Sequence, residues 1–302
     1  MKALVTGGLG FIGSNFILEL LEENKEIQIT NVDAKFHGSN FQNLVNIENN
    51  QNYQFIEGNI NEVKLMEKLI GKNDIIINFA AESFVDSSIS NAIPFLESNV
   101  NGVFTILELI KKNKKRFVHI STDEVYGSLK EESAVEETRF NPSSPYSATK
   151  AAAELLINSY AKTYDSDCLI TRCTNNYGPR QFAEKLIPKT IMLAYYEKEI
   201  PIYGTGKNIR DWLYVEDHCL AIEKILYHGK KGESYNISGN NEIDNITIVK
   251  EILALMNKSE DLITFVEDRP GHDFRYSMES KKIRNELKWS HEFDFKEGIK
   301  KT

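Results

Sequence analysis

The sequence is poor in cysteine and in uninterrupted apolar runs, and each shortage excludes a class of protein. Its 3 cysteines are Cys168, Cys173 and Cys219. None stands in a C-x-x-C spacing or in a cysteine/histidine spacing typical of metal ligands, which argues against a disulfide scaffold or a metal site. No apolar run approaches the roughly 20 residues that span a bilayer. The N-terminus also reaches Gly7 before a signal-peptide core could form, so a cytoplasmic protein without a membrane partner is predicted.

Positive charge is also in short supply. Lysine and arginine total 36 against 44 acidic residues, a formal net charge of −8, which disfavours broad binding to nucleic-acid phosphates. A single anionic ligand held by a few local cations stays compatible with this balance. With 41% hydrophobic and 26% charged residues, the composition is that of an ordinary globular protein of one large domain or two smaller ones.

Short apolar runs alternate with helix-period segments through the first two thirds of the chain. This order is typical of repeated βαβ units and predicts an α/β fold with a Rossmann-type doubly wound parallel sheet. The pattern loosens after about residue 175, so a dinucleotide-binding domain is placed at 1–175 and a smaller, substrate-binding lobe at 176–302. That boundary is approximate because the chain can cross between lobes. The predicted strands are Ala3–Thr6, Ile27–Val32, Tyr53–Glu57, Asp74–Ala80, Arg116–Ser121 and Cys168–Cys173.

A glycine-rich loop follows the first predicted strand and opens the first predicted helix. Gly7, Gly10 and Gly13 permit a tight turn and let the backbone approach a pyrophosphate, whose charge the helix N-terminus meets. Asp33 ends the next strand, where a carboxylate binds ribose hydroxyls and repels a 2′-phosphate, so NAD is favoured over NADP. Loops after later strands reach the same sheet edge. Cofactor contacts are therefore also predicted for Phe11, Ile12, Asn59, Ile60, Phe79, Ala80, Ala81 and Ser83.

Two groups of reactive side chains follow. Tyr146 and Lys150 lie four residues apart where a helix is predicted to begin, so they share one face. An ammonium and an oxidised nicotinamide both stabilise a phenolate, which makes Tyr146 a candidate base. Thr122, Asp123 and Glu124 end a predicted strand, where two carboxyls can act as acid and base. Six other adjacent acid pairs occur in the chain, so this pair draws its meaning from its position.

Together these motifs resemble the extended short-chain dehydrogenase/reductase family, and within it the nucleotide-sugar 4,6-dehydratases, most closely those acting on dTDP-glucose. The resemblance covers nearly the whole chain. The Thr-Asp-Glu tripeptide discriminates best, because related epimerases and decarboxylases usually carry other residues in place of the two acids. The matching segments are GGLGFIGSN, AAESFVDSSI, STDEVYG, YSATKAAAE, TRCTNNYGPRQFAEKLIP, PIYGTGKNIRDWLYVEDHC and DRPGHDFRY.

The resemblance implies a redox-neutral reaction with NAD as the cofactor. Tyr146, helped by Lys150, would take the proton of the sugar C4 hydroxyl while a hydride passes to NAD and Thr122 holds the C4 oxygen. Glu124 would then remove the C5 proton, Asp123 would protonate the departing C6 hydroxyl, and the hydride would return to C6. The product would be a 4-keto-6-deoxy sugar.

Further ligand contacts and a homodimer are implied by the same resemblance. Ser98, Asn176 and the pair Tyr146 and Lys150 are implied as cofactor contacts, and dimerisation is implied through the helices near residues 91–112 and 146–164. Three of the implied substrate residues, Lys185, Arg210 and Arg269, are cations suited to a diphosphate. The implied substrate contacts are Ser83, Thr122, Asn175, Lys185, Leu186, Pro201, Tyr203, Arg210, Asn245, Arg269 and His272.

The chain departs from the family pattern at three positions of interest. Asn59 stands where aspartate is usual, and Phe84 and Ser87 stand where histidine and arginine are usual. Three alternatives stay open: a UDP- or CDP-glucose 4,6-dehydratase, a 4-epimerase or decarboxylase of the same family, and a non-enzymatic nucleotide-sugar-binding protein. An epimerase would not need the two acids, and an inactive binding protein would be expected to have lost a catalytic residue.

Overall fold

The computed structural model describes residues 1–302, and its main element is a seven-stranded parallel sheet. The spatial order is β3-β2-β1-β4-β5-β6-β10, in which the first six strands follow the order of dinucleotide-binding sheets. This confirms the predicted α/β fold and the six predicted strands. The strands are β1 (Lys2–Thr6), β2 (Gln28–Asp33), β3 (Tyr53–Glu57), β4 (Ile75–Asn78), β5 (Arg116–Thr122), β6 (Cys168–Cys173), β7 (Asn175–Tyr177), β8 (Ile200–Tyr203), β9 (Ile209–Tyr214), β10 (Ser234–Ile237), β11 (Glu242–Asp244) and β12 (Ile263–Val266).

Helices cover both faces of this sheet. None of them combines the length and the apolar composition needed to cross a membrane. Short 3-10 helices occur at Phe41–Ile47, Asp123–Tyr126 and Glu260–Leu262, and a π-helical segment at Leu96–Gly102. The α-helices are α1 (Phe11–Glu23), α2 (Val63–Lys72), α3 (Val85–Ser90), α4 (Ile93–Phe95), α5 (Val103–Asn113), α6 (Pro145–Tyr164), α7 (Leu186–Tyr195), α8 (Val215–His228), α9 (Asn245–Leu255), α10 (Lys281–Leu287) and α11 (Phe295–Lys301).

Alternate residues of the central strands enter two different cores, because successive side chains of a strand point to opposite faces. In β1, Val5 packs in a core shared with α1 and α8, whereas Leu4 packs in a core shared with α2, α5 and α6. Both side chains are fully buried. Burial on both faces explains why the strands read as continuous apolar runs in the sequence.

The C-terminal part contributes to the main sheet and to a smaller set of elements. Tyr177, Trp212 and Tyr214 form a separate core with α7, α9 and α11, beside the sheet β11-β9-β7 and the pair β12-β8. β10 returns to the main sheet and pairs in parallel with β6. The chain therefore crosses between the two parts after residue 175. β10 has only 4 residues, too few to show a strand period in the sequence. The division of the chain into two lobes stays a prediction.

Candidate active site

A cleft lies at the carboxyl ends of the parallel strands, where the sheet order reverses between β1 and β4. Open α/β sheets bind ligands at this point. All five predicted catalytic residues line the cleft: Thr122, Asp123, Glu124, Tyr146 and Lys150. Every predicted cofactor residue lines it too, namely Gly7, Gly10, Phe11, Ile12, Gly13, Asp33, Asn59, Ile60, Phe79, Ala80, Ala81, Ser83, Ser98, Tyr146, Lys150 and Asn176.

The glycine loop is shaped by two different requirements. Gly7 has a φ of +71°, and a Cβ there would lie 2.5 Å from the backbone nitrogen of Ala80, so no larger residue fits. Gly10 has an ordinary φ of −73°, and a Cβ there would meet only the Gly7 carbonyl oxygen, at 3.3 Å. The N-terminus of α1 carries no side-chain cap and no acidic residue in its first turn. These features suit the approach of an anionic pyrophosphate.

Asp33 ties this loop to the loop that follows β2. Its Oδ2 accepts a hydrogen bond from the Leu9 backbone N–H (3.0 Å), and its Oδ1 accepts from Lys35 N–H and the Ser39 hydroxyl, both at 2.8 Å. The carboxylate is 5% exposed and lines the cleft. A fixed negative charge at this place fits the ribose of NAD and opposes a 2′-phosphate.

The two glycines allow fold and ligand binding to be tested separately. Gly7→Ala is expected to lower the free energy of unfolding by about 2 kcal/mol or more, because a left-handed conformation costs a non-glycine residue roughly 1–2 kcal/mol and the new Cβ also meets backbone. Gly10→Ala is expected to fold with nearly unchanged stability but to bind NAD about tenfold more weakly, because its Cβ enters the cleft. Urea unfolding and NAD titration check both; equal destabilisation of the two variants would contradict this account.

The first turn of α6 is fixed by its own sequence. Ser144 and Ser147 form a capping box, and Pro145 occupies the first helical position, where its missing N–H has no cost. This places Tyr146 and Lys150 next to the end of β5. Both are buried, at 8% and 3% exposure.

Lys150 contacts the strand beneath it rather than the tyrosine. Its Nζ donates to the Ile120 carbonyl (2.6 Å) and lies 3.2 Å from His119 Nε2. Burial lowers the pKa of Lys150 to about 8. For Tyr146, burial and the charge of Glu124 raise the pKa well above its usual value. In the protein alone burial thus decides the direction of the shift, and the lowering expected from Lys150 together with an oxidised nicotinamide stays a prediction.

Three buried polar residues on neighbouring strands continue from Lys150 into the sheet. His119 Nδ1 lies 3.0 Å from Asn78 Nδ2, and the Asn78 Oδ1 accepts from the Thr6 hydroxyl at 2.5 Å. All three are fully buried, and burial together with the Lys150 charge lowers the pKa of His119. The sequence reasoning missed this chain, although polar residues within apolar strands were its signal.

The acid pair follows β5 in a short 3-10 helix. The Thr122 hydroxyl accepts from the Glu124 backbone N–H (3.2 Å) and lies 3.2 Å from Asp123 Oδ1. Asp123 Oδ2 is buried without a hydrogen-bond partner. Burial, followed by the charge of Glu124, raises the pKa of Asp123 well above its usual range. Asp123 therefore favours its protonated form.

Glu124 has the same burial effect but a different charge environment. Burial raises its pKa, while the charges of Arg210, Lys185 and Arg269 oppose this rise. Burial thus raises the pKa of both carboxyls, but the cations oppose the rise at Glu124, so Asp123 is the better acid and Glu124 the better base. The charges of all three predicted diphosphate cations act on Glu124, which their spacing in the sequence did not reveal.

These cations are held by different contacts. Lys185 Nζ donates to the Ser83 carbonyl (3.1 Å). Arg210 is buried, donates to the Asp273 carbonyl at 2.9 Å and stacks 4.3 Å from the centre of the Tyr276 ring. Only Lys185 lines the cleft directly, whereas Arg210 acts on the acid pair through its charge.

Arg269, Tyr203 and His272 meet near α3. Arg269 pairs with Asp86 Oδ1 at 2.9 Å, and the Tyr203 hydroxyl donates to Asp86 Oδ2 at 3.3 Å. The rings of Tyr203 and His272 lie 6.3 Å apart, and His272 Nδ1 is 2.6 Å from Asp268 Oδ1. This group joins the C-terminal part to the β4 side of the cleft without lining it.

The predicted substrate residues are thus not all at one place. Leu186 packs in the cores around α7, Pro201 lies in β8 opposite Thr264, and Asn245 begins α9 with its N–H bound to the Asn208 carbonyl (3.1 Å). The predicted substrate residues that line the cleft are Ser83, Thr122, Asn175 and Lys185. Those that do not are Leu186, Pro201, Tyr203, Arg210, Asn245, Arg269 and His272, and their roles stay predictions.

A buried histidine beside the cleft makes stability depend on pH. His218 Nδ1 lies 2.8 Å from Asn176 Oδ1, and burial lowers its pKa to about 3. The folded state thus binds this proton more weakly than the unfolded state does. The stabilisation is complete above pH about 6.5 and is lost as the pH falls towards 3, by roughly 1.4 kcal/mol per unit.

Lowering the pH from 6.5 to 4.5 should reduce the free energy of unfolding of both proteins. We expect this reduction to be about 2–3 kcal/mol smaller for His218→Gln than for the wild type, as measured by urea unfolding. The readout is the difference between the two pH slopes, so a fixed cost of the substitution does not affect it. His228→Gln, an exposed position on the same helix, is the control and should follow the wild type. Parallel curves for His218→Gln and the wild type would contradict the assignment.

The chain matches the GDP-mannose 4,6 dehydratase family model over residues 4–302. It belongs to this family. Among curated relatives, the low-salt glycan biosynthesis protein Agl12 of Haloferax volcanii is 45% identical over 99% of this chain and 96% of the relative. The dTDP-glucose 4,6-dehydratase of Xanthomonas campestris is 42% identical over 99% of this chain and 91% of the relative. The resemblance to nucleotide-sugar 4,6-dehydratases is confirmed.

Solved structures agree with this membership. The dTDP-glucose 4,6-dehydratase of Bacillus anthracis, in complex with NAD, has a TM-score of 0.94 at 44% identity and covers 100% of this chain and 95% of its own. The UDP-glucuronic acid 4-epimerase of Bacillus cereus, in complex with NAD, has a TM-score of 0.95 at 28% identity over 99% and 97% of the two chains. The fold is thus common to both reactions, and only the side chains of the cleft can separate them.

Proposed function

We propose that this chain is an NAD-dependent nucleotide-sugar 4,6-dehydratase that converts dTDP-glucose to dTDP-4-keto-6-deoxyglucose. The observation that carries the proposal is the Thr122–Asp123–Glu124 group at the end of β5, in the same cleft as Tyr146 and Lys150. Relatives named for this activity, such as that of Haemophilus influenzae at 43% identity over 100% of this chain, support the choice of substrate.

Oxidation at C4 is the first half of the proposed reaction. Bound NAD supplies the redox chemistry, accepting a hydride from C4 and returning it at C6. The Tyr146 hydroxyl group takes the C4 hydroxyl proton, and the Thr122 hydroxyl holds the C4 oxygen. Lys150, fixed by the Ile120 carbonyl, provides a positive charge beneath the tyrosine that favours its phenolate.

Loss of water is the second half. A ketone at C4 makes the C5 hydrogen acidic, and the Glu124 carboxylate removes it. Asp123, kept protonated by burial, gives its proton to the departing C6 hydroxyl, which leaves as water. The hydride would then return to C6, and Glu124 would give back to C5 the proton that it took, so the sugar loses one water and the reaction is redox-neutral. General acid and base groups of this kind contribute about 10²–10⁴-fold each.

The alternative of a 4-epimerase explains less of the site. Epimerisation returns the hydride to C4 and requires neither a base at C5 nor an acid at C6. Such an enzyme would have no use for Asp123 as a buried proton donor or for three cations around Glu124. The acid pair therefore favours the dehydratase over the epimerase of the same fold.

The reaction class and the nucleotide can be tested together. The protein is incubated with dTDP-, UDP- or CDP-glucose, and the alkali-dependent absorbance of a 4-keto-6-deoxy sugar is followed. We expect product with dTDP-glucose. Product with UDP- or CDP-glucose alone would change the substrate, whereas formation of a galactose isomer would contradict the dehydratase assignment.

We further propose a homodimer formed through α5, α6 and the segment before α5. Apolar side chains are exposed there: Ile93 at 63%, Leu96 at 50%, Phe104 at 46% and Leu155 at 61%. Phe104→Glu is expected to shift the mass in solution from dimer to monomer, because it places charge in an apolar interface. Leu255→Glu, with 47% exposure on α9, is the control. A monomeric wild type would contradict the proposal.

Two predictions from the sequence complete this proposal. We propose that the C-terminal lobe holds the nucleotide sugar, because Lys185, Arg210 and Arg269 all come from residues after 175 and act on Glu124. A cytoplasmic location is proposed from the sequence alone.

A further inference from the structure

Three aromatic rings from separate segments of the chain meet at the cofactor side of the cleft. The His37 ring lies 4.7 Å from that of Phe84 and 4.9 Å from that of Phe182, and the two phenyl rings are 5.7 Å apart. Tilted and edge contacts at such distances are favourable. All three rings line the cleft. We call them the aromatic clasp.

The position of the clasp follows from the sheet order. His37 lies in the loop after β2 and Phe84 in the loop after β4, and these two strands flank β1. A contact between their loops therefore spans the glycine loop that follows β1. Phe182 adds a third connection from the segment after β7, and His37 Nε2 also lies 3.0 Å from Glu184 Oε1.

The backbone next to His37 is adapted to this contact. Gly38 has a φ of +92°, and a Cβ there would lie 3.1 Å from the Phe84 ring. Glycine thus allows the loop to turn and to approach the ring. Phe84 is also one of the positions at which the chain departs from the usual family residue, histidine, so the clasp includes a side chain that the family usually lacks.

The clasp reaches the substrate side as well. Lys185 Nζ lies 4.6 Å from the centre of the Phe84 ring and donates to the Ser83 carbonyl. A cation over an aromatic face is attracted to it. Phe84 therefore contacts the His37 ring, next to the cofactor loops, and also Lys185, a proposed cation for the diphosphate.

We propose that the aromatic clasp lies across bound NAD and slows its release, so that one cofactor molecule serves many turnovers. This rests on the proposed function, in which the hydride is returned within each cycle and NAD has no need to leave. A cleft that held NAD only weakly would lose it between the two half-reactions, when the sugar is oxidised and the reaction is incomplete.

The test measures NAD release from the holoenzyme rather than activity. The NAD bound per chain is determined after denaturation, and its release rate is followed by exchange with an excess of isotopically labelled NAD. Phe84→Ala removes two ring pairs, so release is expected to be about tenfold faster. Phe182→Ala should act in the same direction. Phe36→Ala is the control, because Phe36 lines the same cleft and lies outside the clasp.

Phe84→His provides a variant that keeps a ring and should retain slow release, which guards against a general effect of altered folding. Circular dichroism establishes that each variant is folded. Release from folded Phe84→Ala and Phe182→Ala at the wild-type rate would overturn the clasp and leave the proposed function intact. A wild type that neither contains nor binds NAD would instead count against the proposed function itself.

Discussion

Glu124→Gln is expected to stop the loss of water while leaving oxidation at C4 in place. Glutamine keeps the size of the side chain but cannot take the C5 proton, and Tyr146, Lys150 and Thr122 are unchanged. Mixed with dTDP-glucose, the variant should accumulate NADH absorbance. Formation of the 4-keto-6-deoxy product should fall by about 10²–10⁴-fold, as loss of a general base predicts.

The control for this experiment comes from the other acid pairs of the chain. Glu131→Gln alters an exposed doublet and should preserve both oxidation and product formation. Normal product formation by Glu124→Gln would refute the role given to this residue. Loss of both NADH and product would place Glu124 in substrate binding instead, through the cations that surround it.

The parts of the site that the sequence predicted are those that depend on local backbone. A φ of +71° at Gly7 follows from one tight turn, and the pairing of Tyr146 with Lys150 on one helix face follows from helical spacing. Strand ends in a parallel sheet meet at one edge, which is why Asp33 and the Thr122 segment were correctly brought together. Such features need no knowledge of distant contacts.

The parts that the sequence left out depend on tertiary contacts. The raised pKa of Tyr146 in the protein alone reflects burial, which the helical spacing of Tyr146 and Lys150 does not reveal. The charges of Arg210 and Arg269 act on Glu124 although both arginines lie far from it in the sequence. The contact of His37 with Phe84 and Phe182 also joins residues far apart in the sequence. A histidine or a phenylalanine in a loop does not by itself predict such a contact.

A buried ion pair connects the two halves of the catalytic group. Arg172 on β6 donates to both carboxylate oxygens of Glu154 on α6, at 2.6 to 3.1 Å, and their side chains are 3% and 0% exposed. Arg172 also donates to the Tyr126 hydroxyl (2.6 Å), which in turn donates to Asn236 on β10 (2.9 Å). The helix of Glu154 carries Tyr146, and the 3-10 helix of Tyr126 carries the acid pair.

Arg172→Ala is therefore expected to lower the free energy of unfolding by about 3–5 kcal/mol, because it leaves the Glu154 carboxylate buried without a partner. Urea unfolding measures the loss. Lys281→Ala breaks an exposed pair with Glu279, where the lysine side chain is 77% exposed, and should cost less than about 1 kcal/mol. A loss as small as this for Arg172→Ala would contradict the assignment.

The double substitution Arg172→Met with Glu154→Leu separates charge from packing. If the unpaired carboxylate is what destabilises Arg172→Ala, removing both charges should recover most of the stability, since apolar side chains of similar volume often replace a buried pair at little cost. Activity should recover less, because Tyr126 loses the guanidinium that fixes the 3-10 helix of Asp123 and Glu124. Stability regained without activity would show that the buried pair positions the acids relative to Tyr146, beyond holding the fold.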